Sequence, residues 1–120
     1  MIQTPEELEL VKLYLELPYA ADVIEVDKKK ITDSDIKMKE VLIKQLNQIQ
    51  DELIHETYRI KQRLKSEGIK IIEDTRTTTH LEALYQCRGY QHNIALLWGK
   101  VRADVMLILA RHMKVKVEDG

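Results

Sequence analysis

Seven residues in the middle of this chain do most to limit its folds. Leu42, Leu46, Ile49, Leu53, Thr57, Ile60 and Leu64 recur at steps of four and three. That spacing keeps one stripe of a helix turned toward a partner. At 1.5 Å per residue the stripe runs for about 33 Å, too long to leave in water. The chain therefore needs a second long element to lie against it.

The ends of that helix can be read from its flanks. Thr32-Asp33-Ser34-Asp35 offers side-chain oxygens to a set of orphan amides, which predicts a start near Asp33. At the other end Gly68 is suited to the left-handed residue that follows a helix, with Ile69 placed to touch Leu64. Lys61, Arg63 and Lys65 complement the negative helix end. The prediction is a helix from Asp33 to Glu67.

Two further starts carry similar chemistry. Thr4-Pro5-Glu6-Glu7 is a capping box with proline at the first helical position, opening a helix from Pro5 to Leu17 where Pro18 should break or kink it. Residues 18–31 read two ways: a kinked continuation through Ala21, Ile24 and Ile31, or a short strand at Val23-Ile24-Glu25-Val26. Thr79-His80-Leu81-Glu82 repeats the box and predicts a third helix from His80 to Met113. Its stripe is Leu84, Cys87, Gln91, Ile94, Trp98, Val101, Val105, Ile108 and His112.

Laid antiparallel, the two long helices set Leu53 level with Ile94, Ile49 with Trp98 and Leu46 with Val101. Trp98 then belongs among the most buried side chains. The reading is all-α: an antiparallel long-helix hairpin of coiled-coil spacing, plus a short N-terminal helix, in one domain spanning residues 1–120. Ile69, Ile71 and Ile72 in the intervening link look tucked against it.

Such a hairpin is left with apolar surface to spare. On the third helix Ala95, Gly99, Ala103, Met106 and Ala110 share a face nearly opposite the stripe, and on the second Ile36, Ile43, Asn47, Ile54 and Tyr58 form another. One short helix cannot cover both. A homodimer of four or more long helices is the simplest remedy, with Ala95, Gly99, Ala103, Met106, Ala110, Ile43, Ile54 and Tyr58 at the interface.

Composition narrows the function classes. Nineteen basic residues against twenty acidic ones give a formal charge of -1, which argues against a dedicated nucleic-acid binder. The single cysteine, Cys87, excludes an internal disulfide and fits a reducing compartment. It sits on a stripe without an activating partner and reads as a small buried hydrophobe. Polar and acidic residues follow Met1, so no secretory leader is expected, and charges interrupt every long apolar stretch. The expected compartment is the cytoplasm, without membrane insertion.

Two constellations carry a chemical reading. Glu52-Leu53-Ile54-His55 has the E-x-x-H spacing used by di-iron bundles, and the hairpin register brings His92 level with His55. With no second such motif, Glu52, His55 and His92 are weak metal candidates beside solvent-facing or dimer-facing histidines. Arg59, Arg63, Lys70 and Arg76 gather at the predicted hairpin tip and could touch nucleic acid, although Glu67, Glu73 and Asp74 dilute them. No phosphate loop, zinc spacing or catalytic motif occurs.

These readings favour a non-enzymatic interaction protein, a small adaptor or regulator that binds another macromolecule and needs no cofactor. The alternatives are a nucleic-acid-associated protein using the basic tip and, third, a metal-binding bundle enzyme.

Overall fold

Thr4 opens the first helix as its sequence requires. Its hydroxyl accepts from the Glu7 amide at 3.1 Å while the Glu7 carboxylate accepts from the Thr4 amide at 2.8 Å, a closed capping box. This helix, α1, spans Pro5–Thr32, well beyond the predicted end at Leu17. The computed structural model, which describes residues 3–117, thus makes residues 18–31 helical and removes the strand alternative. Pro18 is exposed and removes one helical hydrogen bond. Leu15, Leu17, Ala20 and Ile24 around it are buried. Burial of each large side chain contributes about 1.5–3 kcal/mol, enough to carry the helix past the missing bond.

The second helix, α2, spans Lys39–Ser66, starting later than Asp33. The polar cluster before it serves the helix behind. Thr32 donates its hydroxyl to the Lys28 carbonyl, Ser34 donates to that of Ile31, and Asp33 caps the end of α1. The C-terminal end matches its reading: Gly68 follows at φ +74°, and Leu64 and Ile69 are both buried. The Leu42–Leu64 stripe also faces inward, with Ile49, Leu53 and Leu64 buried. Its partner, however, is α1. Gln50 bonds to the Ala21 carbonyl and the Glu25 carboxylate and receives Lys28, so α1 and α2 form the antiparallel hairpin.

Residues 69–97 overturn the all-α, coiled-coil expectation. Three strands, β1 (Ile69–Arg76), β2 (His80–Cys87) and β3 (Tyr90–Leu97), form an antiparallel sheet in sequence order. The molecule is an α+β fold. In β2 the buried residues Leu81, Ala83, Tyr85 and Cys87 alternate with less buried ones, a period of two that competes with the seven-residue spacing read there as helix. Arg88 at φ +49° and Gly89 at φ +92° make the tight turn between β2 and β3, a point where a continuous helix would have had to carry glycine in its interior. The Thr79 box is overturned with it: Thr77 turns the chain into β2 by accepting from the His80 amide.

Only the second half of the predicted third helix is helical. α3 spans Trp98–Met113 and buries Val101, Val105 and Ile108, all members of the predicted stripe. The register that set Ile49 against Trp98 disappears with the upper half. Trp98 is half-buried at the helix start, donating its indole N–H to the Thr77 carbonyl at 2.7 Å and packing on Tyr19 at 5.2 Å between ring centroids.

α1 is the central element. Val11 and Leu17 on it, Leu53 on α2, Val101 and Val105 on α3, and Tyr85 and Cys87 on β2 are all essentially inaccessible and form one core. Ion pairs tie α1 to the sheet at both ends: Glu7 to Arg88 at the β2–β3 turn, and Asp22 to Arg76 at the end of β1, 2.7 Å apart. Among the described residues no helix is long and apolar enough to cross a membrane.

Candidate functional site

Helical spacing places Glu9, Lys12 and Glu16 on one face of α1, and Lys100 and Asp104 one turn apart on α3. Where the two faces meet, with Arg63 from the end of α2, they line a cleft of about 490 Å³. Glu16 lies in it at only 4% exposure. Among the described residues no donor reaches its buried Oε2 atom. Its neighbour is the Asp104 carboxylate, which accepts from Lys100 at 3.0 Å.

Two carboxylates at such a contact cannot both be charged at neutral pH. Burial, followed by the hydrogen bond and charge of Asp104, pushes Glu16 up to about 8, with Lys100 and Lys12 pulling weakly the other way. Burial also acts to raise Asp104, but the bonds it receives from Glu16 and Lys100 outweigh that and hold it below its ordinary value. At neutral pH Glu16 is therefore a protonated donor and Asp104 an ionised acceptor. Environments that push two carboxyl groups apart in this way are the usual means of obtaining an acid and a base from one residue type. The contact between these two side chains lies where α1 meets α3.

A second buried carboxylate, Glu7, shows the opposite solution. Both Arg88 terminal nitrogens donate to it, at 2.6 and 2.9 Å, and the Arg88 Nη1 atom also reaches the Glu67 carbonyl. The Arg88 bonds, with the Thr4 amide, bring Glu7 down to about 2. Tyr85 adds a hydroxyl bond to Gln3 nearby.

The metal candidates are not brought together. His55 bonds to the Asp51 carbonyl of its own helix, Glu52 engages His112 at 2.7 Å, and His92 stacks on Tyr85 in the sheet. Among the described residues no group of three or more His, Cys, Asp or Glu side chains is arranged to hold a metal. The basic set is also divided: Arg59 and Arg63 lie on α2, Lys70 begins β1, and Arg76 stands at the other end of that strand over Tyr19. Cys87 is fully buried.

Neither Glu16 nor Asp104 was singled out from sequence, because 88 positions separate them. The available signal was local: Glu16 sits between Leu15 and Leu17, and Asp104 between Ala103 and Val105.

A family model described as YhjD protein matches residues 2–117. The chain belongs to the YhjD family. No curated protein and no solved structure matches it.

On this YhjD-family chain the spare apolar surface foreseen on the long helices is largely uncovered. Ile54 and Tyr58, one turn apart on α2, are 61% and 63% exposed, and Met106 on α3 is 60% exposed. Gly99 and Ala103 are open to solvent and Ala110 is half-buried. Ala95 belongs to β3 rather than to this ridge, so the small-residue helix face begins only at Gly99.

Proposed function

We propose that this chain is a non-enzymatic interaction protein that binds another macromolecule through the outward stripe of α2. The observation that carries the reading is the pairing of Ile54 and Tyr58 on one face, both more than 60% exposed, with none of the described elements laid over them. The stripe continues toward the start of the helix, where Ile36 and Ile43 line a shared groove of about 620 Å³. Exposed apolar side chains grouped on one helix face and rimmed by polar ones are characteristic of association surfaces. Tyrosine in such a stripe supplies large contact area at low entropic cost.

A photo-cross-linker tests this directly. Placed at position 58 in cells, it should yield a discrete macromolecular adduct. Placed at Gln48, exposed on a different side of α2, it should not. Equal labelling at the two positions would defeat the reading. So would stoichiometric metal retained by the purified protein after chelator dialysis, which would point back to a metal-dependent activity.

A further inference from the structure

The sheet has two free edges, and they are built differently. β1 carries Lys70, Glu73, Asp74 and Arg76, and its pairing with β2 slips between Ile71 and Glu73. Charges and a bulge are the usual devices by which an edge strand is kept from pairing with a neighbour. β3 has neither. Its sequence, Tyr90 to Leu97, contains no Asp, Glu, Lys, Arg, Pro or Gly, and it pairs with β2 through eight consecutive positions without a slip.

The tight Arg88-Gly89 turn determines which groups face outward. It makes Cys87 and Tyr90 a pair that exchanges both main-chain hydrogen bonds, and such pairs alternate along an antiparallel ladder. His92, Ile94 and Leu96 therefore bond to β2, while Gln91, Asn93, Ala95 and Leu97 turn their amides and carbonyls away from it. All four of these residues are exposed, Leu97 at 68%. Leu97 also caps the start of α3, but among the described residues no other strand pairs with this edge.

We propose that this edge receives a second copy of the chain, β3 pairing antiparallel with its own image about a two-fold axis through Ile94. In that register Gln91 faces the copy's Leu97 and Asn93 faces the copy's Ala95. Every outward group is then satisfied, by about eight main-chain hydrogen bonds, and the two sheets join into one. The contact is isologous and closes at two copies. The uncharged strand meets itself without like-charge opposition, whereas the acidic and basic residues of β1 would be set near their own images. This pairing rests on the sheet edge alone and is independent of the α2 stripe.

The test uses the full chain. Sedimentation from low to high micromolar concentration should show a monomer–dimer equilibrium. Hydrogen exchange over the same range should slow at the amides of Gln91, Asn93, Ala95 and Leu97 as dimer forms. Asn93→Pro removes an amide that the fold itself does not use, a position where an edge strand tolerates proline, and should weaken association at least tenfold. Ala95→Lys serves as the second variant should the proline disturb folding. Ile94→Cys, on the axis at a closely spaced pair, should oxidise to a linked dimer. A protein that remains monomeric with freely exchanging edge amides overturns the proposal. So does a dimer that survives in folded Asn93→Pro, or one whose edge amides stay unprotected while Tyr58→Lys dissociates it. The last result would leave the α2 reading standing and remove only this one.

Discussion

Glu7 and Glu16 are the same residue type on the same helix, nine positions apart, and both are buried. Yet one is held near 2 and the other near 8. The helix accounts for only part of this, through the Thr4 amide that bonds to Glu7 in the first turn. The larger difference is the element packed opposite. The β2–β3 turn brings a guanidinium to Glu7, and α3 brings another carboxylate to Glu16. Burial of a charge is tolerable only with a partner of opposite sign; otherwise the group keeps its proton.

The comparison is most sharply broken at Arg88. Arg88→Met leaves the Glu7 carboxylate buried without its fork of donors, and should cause the largest loss of melting temperature among these variants at pH 7. The deficit should shrink toward pH 2. Glu7's folded value lies below its unfolded one, so the pair's contribution is present above about 4.5 and disappears as pH falls through about 2.

Glu16 should show the reverse sign. Its folded value lies above 4.5, so the folded protein binds the extra proton. Its contribution is complete below about 4.5 and is lost as pH rises through about 8. Urea titrations of wild type against Glu16→Gln should diverge across that window by up to about 1.4 kcal/mol per pH unit. Glutamine keeps a donor toward Asp104 and has no proton to lose. The variant should therefore be the more stable protein at pH 9. Parallel curves would mean that Glu16 is ionised in the fold.

Asp104→Asn should have a smaller effect. It removes the neighbouring carboxylate, and the alkaline end of the Glu16 window should move down. It should not return to the ordinary value, because burial is the larger cause of the shift. Smallest of all, Lys12→Gln should change stability by no more than about 0.5 kcal/mol, since it removes a surface pair with Glu9 and a weak pull on Glu16.

The two halves of the chain also differ in how far they could be read. The Thr4–Glu7 box, the Gly68 stop and the inward stripe of α2 involve residues a few positions apart, where spacing and capping chemistry are decisive. Residues 80–97 carry two periodicities at once. Cys87 and Ile94 fit a heptad, while Leu81, Ala83, Tyr85 and Cys87 fit a strand. The heptad reading prevailed because it continued into Val101, Val105 and Ile108, which are indeed a buried helical stripe. The unread signal was Arg88-Gly89, a turn dipeptide in the middle of the supposed helix. The candidate cleft was less legible still, because its two carboxylates meet only after α3 has packed on α1.

What the sequence determined by itself is the start of α1 at Thr4, the stop of α2 at Gly68 and which face of α2 must be covered. Those properties depend on groups within one or two turns of each other, whose geometry is set as soon as the backbone is helical. Only the tertiary structure decided what covers that face, and that residues 69–97 form a sheet. It also decided whether a glutamate on α1 meets an arginine or an aspartate. Those outcomes turn on contacts between distant segments, where several local patterns are equally permissible and the arrangement that buries the most apolar surface with its polar groups satisfied prevails.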